Sequence, residues 1–435
     1  MTTTDRRSDL DGAADGDAKG ARRDDATANN DSESGTADVD TDTDTDTAVA
    51  DARDTLASLT RRFAGHAARP TGEGVGVIEE SGDRLAEHRA VAGEVQAALF
   101  DAGLACPEEA PEFGGRGLPS DAARQVRAMV DAADLPTRNM LFVGLNIVAP
   151  AIRAFGTPEQ RERFLPGLLS GATVGCQLFS EPSAGSDLAS VRTRARRDGD
   201  DWVLTGQKVW TSHAQIADWG EALVRTDPNH GRHRGLSVFL VDMSAPGVRV
   251  RPLRQMTGGA AFNEVFLDEV RVPDACRIGP AGDGWRVALT SLGSERGAMG
   301  GGDGPLSARV LGRFVELLSQ HRVADNPALR ARLGRTVSAV HVQQAAMRRP
   351  DTSWPAALAP VTGSIQKLLL NRALDAVGAL VTEVLGNAEF VDTGTRNSYA
   401  WSEFALGVPA LHLAGGTDDI QRGLIAHRGL GLPRG

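Results

Sequence analysis

Between Val174 and about Val272 the chain is built of short alternating runs, WVLTGQKVW, LSVFLVD, VRVRPL and NEVFLDEVRV, separated by Gly, Asp and Pro turns; on both sides the apolar residues recur at helical spacing. The two periods present apolar faces in incompatible ways, so each stretch must form its own layer. Helix, then strand, then helix restricts the chain to the α+β multidomain class. The upstream segment, about 51–172, contains LAEHRAVAGEVQAALFDAGL and GTPEQRERFLPGLLSG, where Thr157 before Pro158 predicts an N-cap with proline at the first helical position. After Gly284 come WRVALTSLGSERGAM, PLSARVLGRFVELLSQ, LRARLGRTVSAVHVQQAAM and IQKLLLNRALDAVGALVTEVL. Long amphipathic helices need partners, and a four-helix bundle is the economical arrangement. The expectation is an N-terminal helical domain (51–172), a central β-barrel-like domain (173–283) and a C-terminal four-helix bundle (284–435).

The first fifty residues stand apart. They carry fourteen acids against five bases, a TDTDTDT run and no aromatic residue, so they hold −9 of the formal charge of −10. Such a segment buries too little apolar surface to offset its ordering entropy, and residues 1–50 are predicted to be a disordered acidic tail. The remaining body is nearly neutral, at −1. That balance leaves no electrostatic footprint for nucleic acid, and the tail would repel phosphates and anionic lipid. Arg6 and Arg7 have no apolar run behind them, and no stretch approaches the ~20 apolar residues that span a bilayer. Three widely spaced cysteines, Cys106, Cys176 and Cys276, fit neither a disulfide framework nor a zinc site, and the nine histidines lack metal-ligand spacing. A cytoplasmic protein with no metal, no membrane span and no nucleic-acid partner is expected.

Two loops carry candidate chemistry. QLFSEPSAGSD (177–187) places Ser180, Ser183 and Ser186 and several backbone amides in a turn-rich loop beside a strand, which can hold a ring edge or a phosphate. By itself a Ser/Gly loop is more often only a turn. About twenty residues on, LTGQKVWTSHA (204–214) puts Trp210 beside Thr211 and Ser212 at a strand end, an indole face next to two hydroxyls.

Taken with FNEVFLDEVRVP, the late GGTDDIQRGLIAHR, and EFGGRGLP and FGTPEQRERFLPGLLSG upstream, these loops resemble in order the signature segments of the acyl-CoA dehydrogenases. The resemblance spans about residues 53 to 434, and several long motifs in register are far more specific than one short pattern. It implies a three-part fold with FAD between the β domain and the bundle, and an oxidoreductase that introduces an α,β double bond into an acyl thioester. By the same match Gln177, Phe179, Ser180, Ser186, Trp210, Thr211 and Ser212 would contact FAD, as would Thr417 and Asp419 in the late motif. Ser186 and Gly416 would border the acyl-CoA. The resemblance also implies an electron-transfer flavoprotein as electron acceptor.

Dehydrogenation of an acyl thioester requires a carboxylate to remove the α-proton and a flavin to accept hydride from the β-carbon. Most members of the family carry that glutamate just before the glycine of the late motif, where this chain reads LAGGTDD and has Gly415. A minority, similar to isovaleryl-CoA and long-chain acyl-CoA dehydrogenases, hold it on a helix of the C-terminal domain, immediately before an arginine. Here Ser294, Glu295 and Arg296 stand at that place. Glu295 is therefore the expected base, against the plainer reading of a solvated helix carboxylate paired with a neighbour. Gly415 would keep the backbone N–H that binds the thioester carbonyl, and Arg296 would lie near the CoA or tune the glutamate.

The chain also departs from the family. SQHRVADNPALRARLGR lacks the Arg and Phe-Gly that reach a neighbouring subunit's FAD, and the glycine-rich loop is reduced to VLGNAEFVD, with only Gly386 in place. Such losses resemble members in which two different subunits share an active site, so a homo- or hetero-oligomer is expected, this chain being the catalytic half. Three questions stay open at this level: CoA or acyl carrier protein as thioester carrier, a flavin oxidase or monooxygenase on the same fold, and a mainly structural subunit.

Overall fold

The computed structural model describes residues 41–64, 85–133, 135–136, 139–298, 304–349, 353–391 and 400–433. The first helix among the described residues, α1 (Thr41–Phe63), lies partly inside the stretch expected to be a tail. Residues 41–50 are therefore helical, while 1–40 lie outside the described residues. The reason is packing. Val49, Ala52, Leu56 and Phe63 repeat at helical spacing and bury themselves against Val95 and Leu99 of α2 (Leu85–Asp101) and Val126 and Val130 of α3 (Ser120–Ala132).

A helix over Ala149–Phe155 (α4) and α5 (Pro158–Ser170) complete the N-terminal part. Thr157 caps α5 as the sequence indicates: it accepts from Gln160 N–H, while the Gln160 side chain accepts from Thr157 N–H, a reciprocal capping box. The same Gln160 donates through Nε2 to the carbonyls of Ala275 (2.7 Å) and Arg277 (2.8 Å), which tie the helix to the far edge of the β part.

The middle of the chain forms eight strands: β1 (Gly175–Leu178), β2 (Arg194–Asp198), β3 (Asp201–Ser212), β4 (Trp219–Arg225), β5 (Leu236–Asp242), β6 (Val248–Leu253), β7 (Phe262–Pro273) and β8 (Arg277–Ile278). The hydrogen-bonded path runs β6-β7-β3-β2-β4-β5-β8, with β1 joining β4 in parallel so that Gln177 faces Glu221. β4 and β5 are buried along almost their whole length, which places helices and loops over both of their faces.

Among the described residues six α-helices follow: α6 (Gly284–Ala298), α7 (Ala308–Gln320), α8 (Pro327–Arg348), α9 (Thr362–Leu385), α10 (Ala400–Leu411) and α11 (Asp418–Leu424). Phe314 of α7, Leu370, Leu374, Val377 and Val381 of α9, and Trp401 and Phe404 of α10 form the bundle core, with Leu329 and Leu333 of α8 against it. α6 differs from the others: its buried Val287 and Ala288 belong to the core under the sheet. It therefore lies between the β layer and the bundle, touching α9 where Gly363 packs on the Arg296 side chain. No helix among the described residues is long and apolar enough to cross a membrane.

Candidate active site

The two sequence loops meet at one end of β3. Val209 N–H donates to Ser180 O (2.9 Å), and a buried lysine, Lys208, fastens the rest. Its ammonium donates to Phe179 O (3.0 Å), Leu223 O (2.6 Å) and Glu181 Oε1 (2.9 Å), so all three N–H bonds of a fully buried charge are used. Glu181 also accepts from the backbone N–H of Arg192 (2.7 Å) and Thr193 (2.8 Å). Burial pushes the Glu181 carboxyl up, but Lys208 and these amides outweigh it and hold it below its ordinary value. Burial drives Lys208 down to about 8 against the pull of Glu181, which leaves both charged at neutral pH.

Past Lys208 the β3–β7 register slips, Lys208 facing Val265 and Thr211 facing Asn263, so Val209 and Trp210 bulge opposite one residue. Trp210 consequently sits at φ 62°, in the left-handed region that bulky residues rarely adopt, with its indole 62% exposed. Strain of about 1–3 kcal/mol at such a residue persists where the surroundings over-determine it. Beside it the Thr211 hydroxyl is buried without a hydrogen-bond partner, as is the Gln177 side-chain amide nitrogen on β1. An exposed indole next in sequence to a buried, unpartnered hydroxyl suits a flat heteroaromatic cofactor. Phe179 is buried, Ser180 and Ser212 are half-buried, and Ser186 is exposed at the mouth of the first loop.

A second run of polar groups crosses from the sheet to the bundle. Glu221, beside Gln177 in the β1–β4 register, accepts from Ser291 Oγ of α6 (2.6 Å). One helical turn further along α6 is Glu295. Burial pushes its carboxyl up to about 7, with Arg296 and Lys367 pulling it part of the way back. Desolvation lowers the Arg296 guanidinium, and Arg428 adds to that. Lys367 of α9 is buried and donates to Gly416 O. Burial lowers it to about 8 while Asp418 and Glu295 draw it up, so one ammonium acts on both α6 and the late loop.

That loop is tightly held through its carbonyls. Gln421 Nε2 donates to Gly415 O and Gly416 O, each at 3.0 Å. Asp418 accepts from Asn371 (2.6 Å) and pairs with His412 (2.8 Å), whose other ring nitrogen meets Asp375 (3.0 Å). Among the described residues neither Gly415 nor Gly416 donates its N–H to a backbone carbonyl. Both have positive φ, 61° and 90°, so the turn can present those N–H groups to an incoming anion or carbonyl. Thr417 caps α11 by accepting from Ile420 N–H, and Asp419 is paired with Arg422 at the surface (2.9 Å). A Cβ at Gly416 would meet Gln421 Nε2 at 2.7 Å in a backbone region L-residues avoid. Gly416→Ala is accordingly expected to destabilise the protein by about 1–3 kcal/mol, read as a lower denaturant midpoint; an unchanged midpoint would mean that the turn re-forms with ordinary φ.

The structure thus gathers Gln177, Phe179, Ser180, Trp210, Thr211 and Ser212 at one sheet end, and links Glu295, Arg296, Gly415 and Gly416 through Lys367. Four residues in these networks were not singled out from the sequence: Glu181, Lys208, Glu221 and Lys367. Lys208 and Lys367 lie in otherwise apolar runs, KVW and IQKLLL, and a cation at a core position was the available signal. The Asn229–Arg234 stretch is a turn between β4 and β5, where Asp227 caps Asn229 N–H (2.8 Å) and His233 stacks on Trp285 (4.6 Å).

Comparison with known proteins adds the following. Models of the acyl-CoA dehydrogenase N-terminal, middle and C-terminal domains match residues 59–172, 176–270 and 282–430. The chain is 40% identical over 337 residues to acyl-CoA dehydrogenase IpdE1 of Mycobacterium tuberculosis, covering 77% of this chain and 86% of that one. It is 40% identical over 343 residues to acyl-CoA dehydrogenase FadE34 of the same organism, covering 78% of this chain but 46% of that longer protein. Among solved structures it superposes on the Tcur3481-Tcur3483 steroid ACAD with a TM-score of 0.72 at 28% identity, over 89% of this chain and 98% of that one. It also superposes on the ChsE4-ChsE5 complex from Mycobacterium tuberculosis with a TM-score of 0.70 at 28% identity, over 90% and 98%.

Proposed function

Because this chain belongs to the acyl-CoA dehydrogenase family and is on that ground an oxidoreductase, we propose that it desaturates an acyl-CoA at the α,β position with Glu295 as base. The observation that supports the assignment is the buried Lys367 ammonium, which draws on the Glu295 carboxyl and donates to the Gly416 carbonyl, in a turn whose Gly415 and Gly416 N–H groups meet no backbone carbonyl among the described residues. Glu295 takes the α-proton. Its carboxyl, raised by burial to about 7, is a base matched to neutral pH. Gly415 N–H donates to the thioester carbonyl and stabilises the negative charge that gathers there. Arg296 faces the CoA side or tunes Glu295, and Gly416 and Ser186 border the acyl chain.

FAD, when bound, would accept the β-hydride. Trp210 would cover its ring, with the Thr211 hydroxyl, Gln177, Ser180 and Ser212 meeting its polar edge, and Phe179, Ser186, Thr417 and Asp419 completing the contacts. The likeness to a steroid ACAD supports a bulky, ring-bearing acyl group. Its pairing of two chains, and that of ChsE4-ChsE5, supports assembly with a second subunit, as does the reduced Gly386 loop. An electron-transfer flavoprotein would carry the electrons away.

The test is anaerobic visible spectroscopy of flavin-loaded protein against straight-chain, branched and steroid-side-chain acyl-CoA thioesters. Bleaching by a saturated thioester, with its enoyl product recovered, is the expected result. Bound flavin that no thioester reduces, or that is reduced and then consumes oxygen rapidly in turnover, would overturn the dehydrogenase reading.

A further inference from the structure

The mechanism leaves one buried carboxyl unused. Glu221 is completely buried on β4; Oε1 accepts from Ser291 Oγ (2.6 Å), and Oε2 is buried with no partner. Among the described residues its neighbours in the strand register are Gln177 on β1 and Leu240 on β5, and α6 offers Ser291 and, one turn on, Glu295. Among the described residues no ion pair includes it. Arg296 and Lys367 act on Glu295 and are not among the charges felt by Glu221.

We propose that Glu221 is a positioning residue for Glu295, a buried carboxyl that keeps its own proton, anchors α6 through Ser291 and so leaves the pair of carboxyls with a single negative charge. This rests on the reading of Glu295 as base. An ionised carboxylate with one hydroxyl donor and no cation is strongly disfavoured in a dry interior, whereas the acid form is tolerated there. Burial pushes Glu221 up to about 8, the Ser291 bond draws it down and the charge of Glu295 pushes it further up. Glu295, whose charge Arg296 and Lys367 favour, therefore ionises first, and Glu221, with a single hydroxyl donor and a bare Oε2, is the member that holds its proton at neutral pH. When Glu295 takes up the α-proton, both carboxyls are neutral beside the charge gathering on the thioester. Ionising Glu221 would add a second negative charge next to it.

The sign follows. The rate of flavin reduction should rise as Glu295 ionises and fall again at higher pH as Glu221 ionises. In Glu221→Gln the upper fall should vanish while the lower rise remains. Ser291→Ala removes the bond that draws Glu221 down and should move the upper fall to higher pH, a change that a purely structural hydroxyl would not produce. Independently of any thioester, infrared difference spectroscopy of the flavin-loaded protein titrated across this range should show a protonated-carboxyl C=O band lost only on the upper limb, present in wild type and in Glu295→Gln and absent in Glu221→Gln, where the band that titrates with Glu295 on the lower limb remains. An upper-limb band unchanged in Glu221→Gln, or an upper limb that both substitutions leave in place, would overturn the proposal. If no thioester reduces the flavin while the band behaves as described, it is the assignment of Glu295 that fails and not the protonation of Glu221.

Discussion

Replacing Glu295 by glutamine is expected to slow substrate-driven flavin bleaching by a factor of about 10³, the middle of the range that a positioned general base contributes. The substitution keeps the shape of the side chain and removes its basicity, so binding should survive while the chemical step fails. The pH dependence supplies a second signature. A base must be ionised to act, and the Glu295 carboxyl is raised to about 7 by burial, with Arg296 and Lys367 opposing. Wild-type reduction should therefore be slow in acid and climb through neutrality, and that limb should be missing in the variant. Stopped-flow absorbance with one saturated thioester measures both. Bleaching that stays within a fewfold of wild type would place the base on another side chain.

Lys208→Met is expected to have the largest effect on stability. The substitution nearly preserves volume but leaves the buried Glu181 carboxylate without its cation, and breaking one partner of such a pair typically costs about 3–5 kcal/mol. It also strips the acceptors Phe179 O and Leu223 O of their donor. Since these bonds join the first loop, β3 and β4, the loop that carries Phe179 and Ser180 should loosen, and the protein should lose FAD at concentrations where wild type retains it. Denaturant unfolding and flavin fluorescence after gel filtration report the two consequences. The double variant Lys208→Met with Glu181→Gln should recover part of the loss, because the stranded charge is gone; full additivity of the two single effects would argue that the side chains are not coupled.

The fold was legible in the sequence because its periods are clear. The alternating runs between Val174 and Val272 became strands, and Thr157 marked the start of α5 without ambiguity. The inner edge of the tail is hidden in the composition of 1–50 taken as a block, because Val49 begins an apolar stripe that runs on to Phe63. The loops around Ser180 and Trp210, and Glu295 with Gly415, could be named from motifs. The supporting charges could not. Glu221 is unremarkable in WGEALVR until β1, β4 and α6 are brought together, and Lys367 gains its meaning from Gly416, forty-nine residues away. Local pattern encodes elements, and long-range pairing of buried polar groups leaves almost no trace in one dimension.

The Gln160 amide serves two structures with one planar group. Its oxygen closes the first turn of α5 on Thr157 N–H, and its nitrogen reaches the main chain at Ala275 and Arg277. Rotating the side chain to release either bond releases the other. Loosening of that half of the cap and parting of the seam between the helical layer and the strand edge are thus coupled, while the Thr157 hydroxyl still holds the Gln160 N–H.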